Sequence, residues 1–309
     1  MAVRPLRIGT RGSAMALHQT GLVRDRLVAA HPELGVLGMV EIVVIRTTGD
    51  RVQDRLLAEI GGKGLFTKEI EQALTDRRID VAVHSLKDME TVLPAGLAIA
   101  CVLPRDDPRD VLVTRDGVPL DALPDGARIG TASLRRAAQL LRRRPNLVAA
   151  PIRGNVDTRL NKLGAGQVDG LLLALCGLQR LGRTDVAAEI LPVDTMLPAV
   201  GQGALAIEAR ADDAVVRDLL AVLHDETTAV CVAAERAMLA ALDGSCRTPI
   251  AGLAERHGDQ VRLRAMLLTP DGSAERRAEG QAPTAEAAAL GRSIGEHLRR
   301  DAGAEFGLA

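Results

Sequence analysis

Several short segments of this 309-residue chain place reactive side chains where a fold can present them. The run His84-Ser85-Leu86-Lys87-Asp88 directly follows the apolar Val81-Ala82-Val83. A carboxylate next to an ammonium and a hydroxyl can exchange protons with a bound ligand. Strand ends in α/β sheets are where such ligands sit. Read alone, Lys87 and Asp88 could equally be a solvated loop pair. A second group is cationic. Gly130-Thr131-Ala132-Ser133 precedes Arg135-Arg136, and Arg153-Gly154-Asn155 leads to Arg159. Each reads as strand, turn and helix start, so free backbone N–H groups, hydroxyls and guanidinium groups gather at one place, the makings of an anion site. Arg11 and Arg180 follow two further apolar runs. The planar fork of arginine suits carboxylates, and so many strand-end arginines call for a ligand with several carboxylates or phosphates.

Cys246 lies in Gly244-Ser245-Cys246-Arg247-Thr248-Pro249, an irregular turn where packing gives little reason for a cysteine. It is the best candidate for covalent chemistry. Cys101, Cys176 and Cys231 fall in apolar contexts and read as buried. No cysteine spacing suggests a metal site. Gly61-Gly62-Lys63-Gly64-Leu65-Phe66 lacks the spacing and the Ser or Thr of a phosphate loop, so a mobile flap fits it better.

These groups must be carried by alternating strands and helices. Strands are expected at Leu6–Gly9, Val40–Ile45 (buried, from its β-branched run), Val81–Val83 and Leu97–Leu103. A helix from Ser13 should show Ala16, Thr20, Val23, Leu27 and Ala30 on one face, and another should align Phe66, Ile70, Ala73 and Leu74. After a break at Pro104–Pro108 a second series begins at Val111. It continues through Arg128–Thr131, a helix Ser133–Arg144, Val148–Ile152, a helix Val156–Leu163 and Leu171–Leu175. Leu197–Gly203 is another junction. Beyond it come a helix Thr227–Leu242, alternating strands with turns at His257-Gly258-Asp259 and Pro270-Asp271-Gly272, and a last helix around 285–300. The pattern predicts two α/β domains with mixed sheets and a small C-terminal α+β domain.

Composition narrows the function. Net charge is −1, hydrophobic residues make up 47%, and Trp and Tyr are absent, which argues against nucleic-acid stacking or a charged membrane surface. Only Lys63, Lys68, Lys87 and Lys162 are lysines among 39 basic residues, a bias explained by an arginine-favouring genome. The longest apolar run, Leu171 to Leu178, is short of a membrane span, and Met1 leads directly into charged residues, so a cytoplasmic location is the expectation.

Together these segments resemble the porphobilinogen deaminases, also called hydroxymethylbilane synthases. The resemblance runs from Ile8-Gly9-Thr10-Arg11 through the Lys63 loop, His84–Asp88, Gly130–Arg136, Ile152–Asn155 and Leu197–Ala204 to the Cys246 turn. It implies domains at 1–103 with 204–221, at 104–203 and at 222–309, the first two being like two-lobed solute-binding proteins. It implies a dipyrromethane cofactor, made from two porphobilinogen units and held by Cys246 through a thioether. Four porphobilinogen units then add with loss of ammonia, and water releases hydroxymethylbilane. The resemblance makes Asp88 the catalytic acid–base group. Ser85, Lys87, Asp88, Thr131, Ser133, Arg135, Arg136 and Arg153 become cofactor-binding residues. Arg11, Arg153, Arg159, Arg180 and Gln202 bind substrate carboxylates, and Lys63 and Phe66 form the flap. No metal is implied, a monomer is, and uroporphyrinogen-III synthase is the candidate recipient of product. Two departures stand out: Met89-Glu90 where Val-Pro or Met-Pro often follows the aspartate, which would loosen the loop, and Ser245 where glycine commonly precedes the cysteine. A two-lobed carboxylate-binding module without catalysis would explain the arginines but not Asp88 or a turn cysteine. A phosphate-ester enzyme would need a metal site, and no acidic cluster suggests one.

Overall fold

Each apolar run bounded by glycine or a polar turn becomes a strand, and the runs assemble into three sheets in a computed structural model. The structure describes residues 5–51, 64, 66–243 and 248–308. These divide into two units, one of 5–51, 64, 66–105 and 204–229, the other of 106–203, 230–243 and 248–308.

The first unit is built on five strands: β1 (Leu6–Thr10), β2 (Val40–Val44), β3 (Val81–Ser85), β4 (Leu97–Val102) and β10 (Leu205–Arg210), in the order β2-β1-β3-β10-β4. β1 runs parallel to β2 and β3, while β10 is antiparallel to both β3 and β4. One face is covered by helices α1 (Ala14–Ala30) and α7 (Ala214–Ala221), whose Val23, Leu27, Val216 and Leu220 pack on Val81, Val83, Leu205 and Ile207. A short helix, α2 (Thr48–Arg51), follows β2, and the other face is covered by α3 (Lys68–Thr75), with Ile70, Ala73 and Leu74 against Ala82 and Leu97. Ser13 caps α1 as expected, its hydroxyl accepting from the Ala16 N–H.

Three expectations for this unit need correction. β2 lies at the sheet edge, so its β-branched run is only half covered and Val44 is exposed. The run fits the pleated backbone, but an edge strand has a neighbour on one side only. The buried stripe of α1 is Gln19, Thr20, Val23 and Leu27; Ala16 is half-buried and Ala30 exposed. Phe66 precedes α3 rather than lying on it.

The second unit contains β5 (Asp110–Thr114), β6 (Arg128–Gly130), β7 (Val148–Ala150), β8 (Gly170–Ala174) and β9 (Glu189–Ile190), in the order β7-β6-β8-β5-β9. The arrangement repeats that of the first sheet. Three parallel strands stand on one side, and the fourth position is an antiparallel strand entered directly after a junction segment. Helices α4 (Leu134–Arg143), α5 (Val156–Gly164) and α6 (Leu175–Arg180) follow β6, β7 and β8. Gly154 makes the turn before α5 at φ +112°, and a Cβ there would lie 2.7 Å from Thr158 Cβ.

The same unit holds a three-stranded antiparallel sheet, β11 (Ile250–His257), β12 (Gln260–Leu268) and β13 (Glu275–Pro283), backed by α8 (Glu226–Ala241) and α9 (Ala287–Asp301). α9 approaches α8 closely at Gly291, where a Cβ would collide with the Ala234 carbonyl. Ala138 of α4 and Leu197 pack with Ala251, Leu253, Met266 and Leu268, which joins this sheet to the β5–β9 layer. The mixed α/β architecture expected from the sequence is present. Cys101, Cys176 and Cys231 are buried, as expected, and burial pushes the Cys101 thiol up to about 12. Among the described residues no helix is long and apolar enough to cross a membrane, and none of the His, Cys, Asp and Glu side chains gather as a metal-binding group.

Candidate functional site

The candidate residues follow the carboxyl ends of the parallel strands in each unit. In the first unit, Arg11 follows β1, Thr47–Asp50 follow β2, and Ser85 to Asp88 close β3 in a 3-10 turn, Leu86–Asp88. Buried Leu86 and Met89 anchor that turn, so Lys87 is half-buried and Asp88 is exposed. No described hydrogen bond or ion pair engages the Asp88 carboxylate. The Ser85 hydroxyl exchanges hydrogen bonds with the buried side-chain amide of Gln19 at 3.0 and 3.3 Å. Nothing in the sequence pattern marked Gln19; its polarity at a core position of α1 is the signal that could have found it.

Arg11 is already paired. Its Nη2 lies 2.5 Å from Asp50 Oδ1 and its guanidinium stacks 4.1 Å above the Phe66 ring. Burial works against the Asp50 charge, but hydrogen bonds from Arg11 and Thr47 hold its carboxyl below the usual range. Glu90, where the resemblance would lead one to expect proline, accepts the Gly64 N–H at 2.7 Å, a tie that a proline could not supply. Lys63, Ser245 and Cys246 lie outside the described residues.

In the second unit the arginines divide into two environments. Arg135 and Arg136 are buried and converge on Asp110, which is fully buried at the start of β5. Arg135 Nη1 donates to Asp110 Oδ2 at 2.7 Å and to the Leu197 carbonyl at 2.7 Å. Arg136 donates to Asp110 Oδ1 from Nε at 3.1 Å and from Nη2 at 2.8 Å. Gln202 adds a bond to the same oxygen at 2.8 Å and another to the Pro108 carbonyl at 2.6 Å. Burial alone would keep Asp110 neutral, but the two guanidinium charges outweigh it and hold its carboxyl far below the ordinary range. Burial pulls Arg135 the other way, down from the usual arginine range. Sequence reasoning missed Asp110. A charged residue directly preceding the apolar Val111-Leu112-Val113 was the available signal.

Arg153 and Arg159 form the second environment, within reach of the Arg136 charge. Burial, helped by the charges of Arg136 and Arg153, lowers Arg159 to about 10. Its Nε donates to the Gly154 carbonyl at 2.9 Å, and Arg153 Nη1 is buried with no hydrogen-bond partner. The charges of Arg136 and Arg153 thus act against that of Arg159, while the Asp110 carboxylate is engaged on the Arg136 side. The hydroxyls nearby are turned towards the start of α4: Thr131 Oγ1 accepts the Ser133 N–H at 3.1 Å, and Ser133 Oγ caps Arg136 at 3.4 Å. Arg180 stands apart, its side chain bound to Asp106 (2.8 Å) and to the Gly203 carbonyl (2.9 Å), so it braces the two junction segments against each other.

Comparison with known proteins gives the family. Residues 6–218 match the model of the porphobilinogen deaminase dipyromethane cofactor binding domain, and residues 229–300 match the porphobilinogen deaminase C-terminal domain. The chain is 55% identical over 303 residues to a porphobilinogen deaminase of Paracoccus denitrificans, covering 98% of this chain and 96% of that one. It is 52% identical over 299 residues to one of Sorangium cellulosum, covering 96% and 98%. Among solved structures, a TRAP periplasmic solute binding protein from Desulfovibrio salexigens aligns with a TM-score of 0.42 at 13% identity, covering 72% of this chain and 73% of that one. The chain belongs to the porphobilinogen deaminase family.

Proposed function

We propose that this deaminase condenses four porphobilinogen units head to tail and releases hydroxymethylbilane, with Asp88 as its acid–base group and Cys246 as the attachment point of the dipyrromethane cofactor. When bound, that cofactor supplies the primer to which each new pyrrole is joined. The observation that carries the reading is the Arg136–Arg153–Arg159 group, in which Arg153 keeps a buried N–H without an acceptor and Arg159 is lowered to about 10. Clustered cations at such a cost call for a ligand bearing several carboxylates, which the acetate and propionate arms of each pyrrole supply.

Arg153 and Arg159 bind carboxylate arms directly, while Arg135, Arg136 and Gln202 contribute through their grip on Asp110. Arg11 exchanges Asp50 for a substrate carboxylate, and Arg180 holds the junctions from which substrate contacts are presented. Ser85, Lys87, Thr131 and Ser133 add donors, and Lys63 and Phe66 belong to the covering flap. Exposed on its turn, Asp88 is free to assist departure of the amine and to stabilise the positive charge that develops on the pyrrole. The three domains are taken as 1–103 with 204–221, 104–203 and 222–309. A monomer in the cytoplasm, passing product to uroporphyrinogen-III synthase, completes the proposal.

The test is the intact mass of purified protein beside a Cys246→Ser variant. A surplus equal to two deaminated porphobilinogen units, absent from the variant, supports the reading. A bare-chain mass that incubation with porphobilinogen leaves unchanged would sink it.

A further inference from the structure

Below the turn that carries Asp88 lies a polar cluster that the proposed reaction does not use. His84 precedes Ser85 on β3, and its Nε2 is 3.1 Å from Oε2 of Glu208 on the neighbouring strand β10. Glu71, from α3 on the same face, is the third member. Glu208 is fully buried, and His84 and Glu71 are 6% and 8% exposed. The surroundings are apolar: Ile70, Leu74, Ala82 and Leu97 fill the rest of that layer. Burial pushes the Glu71 carboxyl up; Thr67 opposes this, Glu208 adds to it, His84 opposes it and Glu90 adds to it.

Among the described residues, no aligned hydrogen bond reaches His84 Nε2, either oxygen of Glu208 or Oε1 of Glu71. Buried polar atoms left in that condition destabilise the fold, so the cluster is a poor way to hold a core together. Its place gives a better reason for it. β3 and β10 are paired in register Ala206↔His84 and Leu205↔Ser85, and the pairing continues as Leu86 N–H to the Ala204 carbonyl at 3.0 Å. Four residues beyond His84 stands Asp88.

We propose that His84, held against Glu208 and flanked by Glu71, is a positioning residue that sets the end of β3 and thereby the placement of Asp88. The close approach of imidazole and carboxylate, 3.1 Å apart, links the strand that carries the turn to the strand by which the chain re-enters this unit. The inference rests on the reading of Asp88 as the acid–base group. Displacing a reacting group by about 1 Å can cost on the order of 100-fold in rate.

The experiment is a double-mutant cycle on cofactor-loaded enzyme, using Glu208→Gln, Asp88→Asn and the combination, with His84→Gln as a parallel series. Porphobilinogen consumption gives kcat and KM, intact mass gives the loaded fraction, and thermal unfolding reports the fold. Glu208→Gln should lower kcat roughly 10- to 100-fold per loaded molecule with KM within about twofold. In the Asp88→Asn background the same substitution should have less than about a threefold effect, because the group being positioned is already disabled. Equal losses in both backgrounds, or an unchanged kcat per loaded, folded molecule, would overturn the positioning role. Should Glu208→Gln fail to fold, His84→Gln is read by the same criteria. Near-normal turnover by Asp88→Asn alone would instead remove Asp88 from the reaction, an outcome visible before the cycle is closed.

Discussion

Replacing Asp110 by Asn tests the buried core of the second unit most sharply. The carboxylate accepts hydrogen bonds from Arg135, Arg136 and Gln202, and it is fully buried. Asparagine keeps the shape but removes the charge, and at Oδ2 it turns an N–H towards Arg135 Nη1, which itself donates. Two buried guanidinium groups would then lack a counter-charge. Breaking a buried pair from one side costs about 3–5 kcal/mol. For a unit of this size that corresponds to a fall in Tm of about 6–20 °C. The assay is thermal unfolding followed by circular dichroism at neutral pH, repeated as the pH is lowered. Because the carboxyl is held below its unfolded range, its contribution is fully present above about pH 4 and is lost as the pH falls further. The gap between wild type and variant should therefore narrow in acid. A variant that melts within about 3 °C of wild type at neutral pH would show that the arginines do not depend on Asp110, and the division of the arginines into two environments would fail.

Three further outcomes follow from the same geometry. Arg159→Ala should reduce the loading of porphobilinogen units, seen as a loss of the mass surplus, while leaving Tm within about 2 °C because a repelling cation has been removed; unchanged loading would take Arg159 out of the site. Glu71→Gln should raise Tm by a few degrees at pH 8: the folded carboxyl is raised, so its protonated form stabilises at low pH and that contribution is lost as pH rises through the folded value. The gain should vanish near pH 4, and a gain that persists there would show that charge is not its cause. Gly154→Ala should cost about 1–3 kcal/mol through the positive φ and the Thr158 contact, read as a lower denaturation midpoint. An unchanged midpoint would mean that the turn before α5 relaxes freely.

How much of this was legible in the sequence depends on the range of the interaction. Strands and caps are local: Ser13 and Ser133 cap their helices, and the runs at Leu6, Val81, Val111 and Leu171 all pair as strands. Burial is not local, and β2 reads as a core strand from its composition although its place at the edge is fixed only by the order of the sheet. The arginines at strand ends were visible as residue types. Their partners were not, since Asp110 meets Arg136 across 26 positions and Gln202 across 92. Glu71 and His84 lie on successive elements, but Glu208 comes from a strand far along the chain, so no spacing could have grouped all three. The roles of Asp88 and Cys246 came from the family resemblance, with the residues themselves only suggesting reactivity.

The position of β10 also bears on how the chain acquires its shape during synthesis. Among the described residues β4 pairs only with β10, and β10 separates it from β3. β10 is translated about a hundred residues after β4, and until residue 210 emerges the first sheet has a gap at an inner position, with β4 lacking a neighbour. The second sheet has no such delay, because β5 to β9 are contiguous between Asp110 and Ile190. On the ribosome, therefore, the later layer can close while the earlier one still waits with an unpaired edge on β3. Such long-range closure is slow and leaves strand edges open to association, so the period between the two junctions is when a nascent chain most needs protection.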